Sequence, residues 1–146
     1  MLSNSCRYGI RAILYLAKHR KENDNIGLKQ ISSDLELPMP FLAKILQLLA
    51  KHRILRSTKG PNGGFSILKD PDRITLFEIV EIIDGKEIFI NCIIHDDTCA
   101  GVRKSKKPCV VHEDYAKIRA GLINLFKTRT ITELVERTNS LEKIII

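Results

Sequence analysis

Between Phe41 and Leu49 the apolar residues recur at the helical interval. Leu42, Ile45, Leu46 and Leu49 fall at i, i+3, i+4 and i+7 and share one face. Pro40, Lys44, Gln47 and Lys51 fall on the opposite face. The pattern predicts an amphipathic helix over 38–51, with Pro40 in the first turn, where its missing N–H costs nothing. One face can dock on a core, and the other carries long hydrogen-bond donors of the kind that enter a major groove. Taken alone, this is an ordinary surface helix.

The flanking patterns change that reading. Leu28–Leu35 predicts a short helix with Ile31 and Leu35 inward, joined to the next through Glu36-Leu37-Pro38. Ile54–Ser57 and Phe65–Leu68 predict two short strands around the cluster Lys59-Gly-Pro-Asn-Gly-Gly64. Asn62-Gly63 signals a tight hairpin turn, because both residues tolerate positive φ. Helix, turn, helix and hairpin in that order make a winged helix-turn-helix.

A first helix over 5–19 places Ile10, Ile13, Leu14 and Ala17 on one face and Arg7, Arg11 and Lys18 on another. Its arginines are phosphate-contact candidates, positioning without reading sequence. Arg20–Gly27 reads as a polar loop and Asp70–Arg73 as a turn. Thr75-Leu-Phe-Glu78 is a capping box, in which Thr75 accepts from backbone amides and Glu78 reaches back. The helix it opens, with Leu76, Ile79, Val80 and Ile83, stops at Asp84-Gly85. Ile88–Val111 shows no regular pattern, and an irregular stretch of this length is usually functional or disordered. His112–Lys127 returns to helix, with a stripe of Tyr115, Ile118, Leu122 and Leu125 joined by Phe126 that needs a partner or the chain's own core. Thr130–Glu133 is a second capping box, opening a short helix through Arg137. The apolar tail Ile144–Ile146 is expected to pack on a neighbour.

Composition adds a location for the charge. The 146 residues carry a net +7 and 44% hydrophobic residues, enough for one core with an appended element. Residues 1–69 hold twelve Lys/Arg and four Asp/Glu (+8), and residues 70–146 hold twelve and thirteen (−1). The positive charge therefore belongs to the winged-helix half, the footprint of a nucleic-acid binder. No apolar run approaches the roughly 20 residues that span a bilayer. Arg7, Arg11 and Lys18 interrupt any signal-peptide core, so a cytoplasmic, reducing location is expected and no membrane partner. The four cysteines are then metal or redox candidates rather than disulfides.

Three of them share the irregular stretch. Six residues separate Cys92 from Cys99 and nine separate Cys99 from Cys109, and His112 follows three residues on. Three thiolates and an imidazole are a soft four-ligand set, suited to an iron–sulfur cluster or zinc. His95, inside the loop, is a reserve ligand; His19 and His52 show no constellation. Cys6 stands apart on the first helix as a packed or idle thiol. A thiol redox enzyme is disfavoured, since there is no Cys-x-x-Cys. A zinc-stapled module binding RNA through its basic half remains open.

Three stretches carry a resemblance: Arg7-Tyr-Gly-Ile-Arg-Ala-Ile-Leu-Tyr-Leu-Ala17, Phe41-Leu-Ala-Lys-Ile-Leu46 and Ser57-Thr-Lys-Gly-Pro-Asn-Gly-Gly-Phe65. They resemble the Rrf-type family of bacterial winged helix-turn-helix regulators, which includes IscR-, NsrR- and CymR-like members. The likeness runs from about Leu2 to Gly85 and resumes at Cys92. It implies a mainly α fold with a small β-hairpin, a DNA-binding domain over 1–85, and a cysteine loop with a long dimerisation helix over 86–146. It implies a homodimeric regulator or repressor of transcription on double-stranded DNA, and no enzyme. Arg7, Lys29, Pro40, Lys44, Gln47, Lys51, Arg56, Ser57, Lys59, Gly60, Asn62 and Gly63 would form the DNA surface. Within it, Lys44 and Gln47 are the candidates for base edges, and Arg56, Lys59 and the wing amides for backbone or minor groove. By the same resemblance Cys92, Cys99 and Cys109 hold an iron–sulfur cluster, 2Fe–2S in preference to 4Fe–4S, with His112 as fourth ligand. A sample prepared in air can lack that cluster. A cluster-free repressor with zinc or bare thiols in the loop is the alternative. The chain departs from the family pattern at Lys59 (usually Arg), Phe65 (usually Tyr) and in the longer second cysteine gap. Arg7 stands where nitric-oxide sensors place an acidic ligand, and a cation cannot ligate iron.

Overall fold

The computed structural model describes residues 2–20, 25–104 and 109–140. Helix α1 spans Asn4–Lys18, α2 Leu28–Asp34 and α3 Met39–Lys51. Strands β1 (Leu55–Thr58) and β2 (Gly64–Ile67) form the hairpin. A 3₁₀ turn, Pro71–Arg73, leads into α4 (Leu76–Ile83), α5 (Glu87–Ile90), α6 (Cys99–Lys104), α7 (His112–Thr128) and α8 (Ile131–Ser140). This is the expected mainly helical fold with a two-stranded antiparallel sheet.

The apolar stripes close one core. Ala12, Ile13 and Leu16 of α1, Ile31 of α2, and Leu42, Ile45, Leu46 and Leu49 of α3 pack with Ile54, Leu55, Phe65 and Ile79. Gly9 lets the helices approach, since a Cβ there would run into Ile83 of α4. The helix-turn-helix angle is set by polar clamps on the turn. Arg11 Nη2 donates to the Leu35 carbonyl at 2.7 Å, and the Tyr15 hydroxyl donates to the Asp34 carboxylate. Arg11 is therefore a brace for the turn, not a phosphate contact. Glu36 sits at φ 52° in the turn itself. Helix α3 ends in a Schellman motif, with Arg53 at φ 61° and Ile54 N–H donating to the Leu49 carbonyl at 3.0 Å.

The wing differs from the sequence expectation. Leu55 pairs with Ile67 and Thr58 with Gly64, so the loop is the five residues 59–63 rather than a two-residue Asn-Gly turn. Positive φ falls on Gly60 and Gly64, not on Asn62. Ile26 exchanges both backbone bonds with Phe65 (3.0 and 2.9 Å), adding a one-residue third strand where a plain loop was expected. Gly64 is required there, because a Cβ would meet the Ile26 carbonyl.

The capping boxes are half made. Glu78 N–H donates to Thr75 Oγ1 at 3.3 Å, but the Glu78 carboxylate turns to Lys69 Nζ at 2.6 and 2.8 Å instead of reaching back. Glu133 N–H likewise donates to Thr130 Oγ1 at 3.3 Å, while its carboxylate faces Arg129. The C-terminal elements return to the winged core. Ile131 is fully buried in it, and α8 runs to Ser140, past the expected end at Arg137. A second core joins Cys6, Val80, Phe89 and Phe126. The stretch read as irregular contains two short helices, α5 and α6. Thr98 starts α6 by accepting from Gly101 N–H at 3.0 Å. The tail 144–146 lies outside the described residues.

The hydrogen bond to Asp34 and burial of the phenol favour its neutral form. Burial first, then that bond, pushes the Tyr15 hydroxyl from its ordinary 10.0 up to about 12. A raised value means stability present below pH 10 and lost as pH climbs toward 12. Tyr15→Phe is expected to cost about 1 kcal/mol at neutral pH by urea unfolding. It should also flatten the alkaline loss; an unchanged alkaline profile would deny this clamp its role.

Candidate nucleic-acid interface and metal centre

Two surfaces carry the predicted chemistry. On the first, α3 turns Leu42, Ile45, Leu46 and Leu49 into the core and leaves Pro40, Lys44, Gln47 and Lys51 exposed. Arg7, Lys29, Arg56, Ser57, Lys59, Gly60 and Asn62 are exposed as well, and Gly63 is half-buried. The ion pairs among the described residues are Lys69–Glu78, Lys86–Glu81 and Arg129–Glu133. None engages Arg7, Lys29, Lys44, Lys51, Arg56 or Lys59. Among the described residues no carboxylate pairs with these cations, so their charge faces solvent. On Gly63 a Cβ would strike the Thr58 carbonyl, so this glycine keeps the tip of the wing narrow.

The second surface is the cysteine loop. Asn91 bridges to Thr98, and Cys92 N–H donates to the Asp97 carbonyl at 2.8 Å, closing the segment between them. Closure brings the sulfurs of Cys92 and Cys109 to 3.6 Å. One ligand atom from each of Cys92, His95 and Cys109 lies within 4.8 Å of the others, all three residues half-buried. Cys99 is buried at the first turn of α6, its sulfur 3.9 Å from the Asn91 carbonyl. His112 begins α7 and lines a cavity of about 400 Å³ with Cys99, Ala100, Lys104 and Arg119. The structure therefore brings Cys92 and Cys109 together with the reserve histidine. Cys99 and His112 lie beside them, on a wall rich in cations. Lys106 and Lys107, which lengthen the second cysteine gap, fall outside the described residues.

His95 had a legible signal. Cys92-Ile-Ile-His95 repeats the Cys-x-x-His spacing of Cys109-Val-Val-His112. The Ile94 N–H, then the His95 N–H, point at Cys92 sulfur and hold its thiol below the ordinary value, helped by Cys109 and Cys99. At Cys109 the Val111 N–H favours thiolate, but burial and the neighbouring Cys92 and Cys99 sulfurs together outweigh it and push that thiol up. Cys6 is the opposite case: burial, then Asp84, pushes it up to about 12. Four free thiols thus divide into one inert and three loop members.

A protein-family model described as Rrf2, iron-dependent transcriptional regulator, matches residues 2–137. An HTH-type transcriptional regulator, so assigned by name, from Aquifex aeolicus (strain VF5) is 32% identical over 135 residues, covering 92% of this chain and 91% of its own. The HTH-type transcriptional regulator IscR of Sodalis glossinidius is 23% identical over 143 residues, covering 98% and 83%. Among solved structures, CymR, the global cysteine regulator of B. subtilis, superposes with TM-score 0.75 at 23% identity, covering 94% of this chain and 97% of that one. T. potens IscR superposes with TM-score 0.75 at 19% identity, covering 99% and 92%. These structural likenesses establish the fold.

A maleimide reagent applied briefly to the native protein should modify Cys92 first and spare Cys6, read by peptide mass spectrometry. Equal labelling of both in folded protein would contradict the division of the thiols.

Proposed function

The chain belongs to the Rrf2 family of iron-dependent transcriptional regulators, and from that premise we propose that it is a homodimeric, sequence-specific DNA-binding regulator of the cytoplasm gated by an iron–sulfur cluster. It is a transcriptional regulator and not an enzyme. The observation that supports the DNA reading is that the cations of α3 and the wing are exposed and, among the described residues, outside every ion pair. Lys44 and Gln47 are assigned to base edges. Arg7, Lys29, Lys51, Arg56, Ser57 and Lys59, with backbone at Pro40, Gly60, Asn62 and Gly63, are assigned to sugar and phosphate. On this reading residues 1–85 read DNA and residues 86–146 hold the cluster and the dimer contact. No helix among the described residues is long and apolar enough to cross a membrane.

A two-fold reader needs its recognition helices about 34–36 Å apart. The outer stripe of α7 supports such pairing. Phe126 is buried, yet Ile118 is 68% and Leu125 46% exposed, and Ile93, Ile94 and Val110 lie open on the adjoining loop. A second copy would cover these by a self-complementary contact.

The cysteine loop fits a soft metal group. Two thiolates on one tetrahedral metal with bonds near 2.3 Å stand about 3.7 Å apart, and Cys92 and Cys109 are at 3.6 Å. Cys92, Cys99 and Cys109 are the assigned thiolate ligands, with His112 as the assigned imidazole. The mixed set favours a 2Fe–2S over a 4Fe–4S form. When bound, the cluster supplies a cross-link sensitive to iron and to oxidation. The loop's own residues transmit the state. Asn91 receives Arg119 Nη1 of α7 at 3.4 Å, and Phe89 packs on Phe126. A change in loop fold therefore bears on α7 and on the spacing of two recognition helices.

Lys59→Ala is expected to weaken binding to target and random duplexes alike, lowering the salt slope by about one. Gln47→Ala should instead change sequence preference, read by selection from a random duplex pool. Equal losses on target and random DNA for both variants would reject the division.

A further inference from the structure

We propose that the cluster-free chain holds one divalent, thiophilic metal ion of the zinc class between Cys92, His95 and Cys109, with the imidazole supplied by His95 and not by His112. The proposal concerns the same loop as the cluster reading and rests on it only in taking these thiols as metal-facing.

The argument is one of distances. Three ligand atoms within 4.8 Å of one another fit the coordination shell of a single ion. Bonds of about 2.0–2.3 Å put tetrahedral ligands roughly 3.5–3.8 Å apart. A contraction of at most about 1.3 Å in the widest pair would close the shell. The Cys92–Cys109 pair already stands at 3.6 Å. Local backbone supports the geometry. Cys92-Ile-Ile-His95 bends back within four residues, so that the Cys92 sulfur and one His95 ring nitrogen lie within 4.8 Å of each other. The Asn91–Thr98 bridge and the Cys92–Asp97 bond close this turn on itself, so His95 is held over Cys92 without help from a distant element. His112 lacks these relations. It stands at the start of α7 beside Lys104 and Arg119, whose charges oppose a cation. Cys99 stands beside Cys92 without joining the three converging atoms, so the ion has three protein ligands and a fourth position that the Cys99 thiol is near enough to close. The consequence is a second metal-bound state of the loop, reached when no cluster is assembled.

Cobalt(II) is the probe, added anaerobically to full-length protein purified free of cluster and reduced. The wild type should bind one equivalent, with intense tetrahedral d–d bands and thiolate-to-cobalt charge transfer. His112→Ala should bind within about twofold of wild type. His95→Ala should lose affinity by at least about tenfold. His95→Cys should keep binding with bands shifted toward an all-thiolate spectrum, which also shows that substitution at this position leaves the loop folded. Loss in His112→Ala with retention in His95→Ala overturns the proposal. So does a wild type that shows no tetrahedral bands at one equivalent. The cluster reading is judged separately, by iron, sulfide and DNA affinity of reconstituted protein. It can stand when this one fails, and the reverse.

Discussion

Everything that makes this chain more than a winged helix depends on one backbone junction. Ile131 N–H donates to the Ile74 carbonyl at 2.9 Å and Leu76 N–H donates to the Arg129 carbonyl at 3.1 Å. Those two bonds seat the end of α7 and the start of α8 against the start of α4. Ile131 then fills the winged-helix core, and Phe126 fills the second core with Cys6, Val80 and Phe89. The long helix is thus anchored at its C-terminal end, while its N-terminal half, carrying Ile118, stands outside the core. Its exposed apolar residues are Ile118 and, nearer the anchored end, Leu125. On the proposed reading, what holds its free end decides how a second copy is posed.

The cysteine loop stands at that free end. Arg119 reaches back to Asn91, beside Cys92, and stacks 5.4 Å from the Tyr115 ring. The loop's thiols are poised by short-range geometry rather than by distant charges. Backbone N–H groups lower the Cys92 thiol, while burial and the neighbouring sulfurs raise that of Cys109. The loop cysteines and the exposed apolar residues of α7 therefore lie together in the second half of the sequence, and the exposed cations of α3 and the wing lie in the first. That separation suits a regulator, because metal occupancy can alter pose without touching a base contact.

Much of this was legible in the residues. The 3.6-residue stripe of Leu42, Ile45, Leu46 and Leu49 put α3 in place with its polar face outward, since burial of four aliphatics leaves no other orientation. Single-residue tertiary pairings escaped. Ile26 joining Phe65 depends on a contact across thirty-nine positions of sequence that no local pattern encodes. The Asn-Gly signal in the wing was overridden by that third strand, which moved the special conformations to Gly60 and Gly64. Glu78 satisfied the pattern of a capping box, but the Lys69 ammonium offered its carboxylate a charged partner. Helix α6 was hidden by its length, since six residues show too little periodicity. His95 was legible as a reserve ligand inside the loop, but its precedence over His112 beside Cys92 and Cys109 depends on how the loop folds.

The central claim is that the state of the cysteine loop sets the pose of two recognition helices. The most direct measurement is fluorescence anisotropy of a selected target duplex. It compares anaerobically cluster-loaded protein with the same preparation stripped by a chelator, and a random duplex runs in parallel. The account predicts that target affinity changes by about fivefold or more between the two states while random-duplex affinity stays level. Identical target affinity in both states would contradict it.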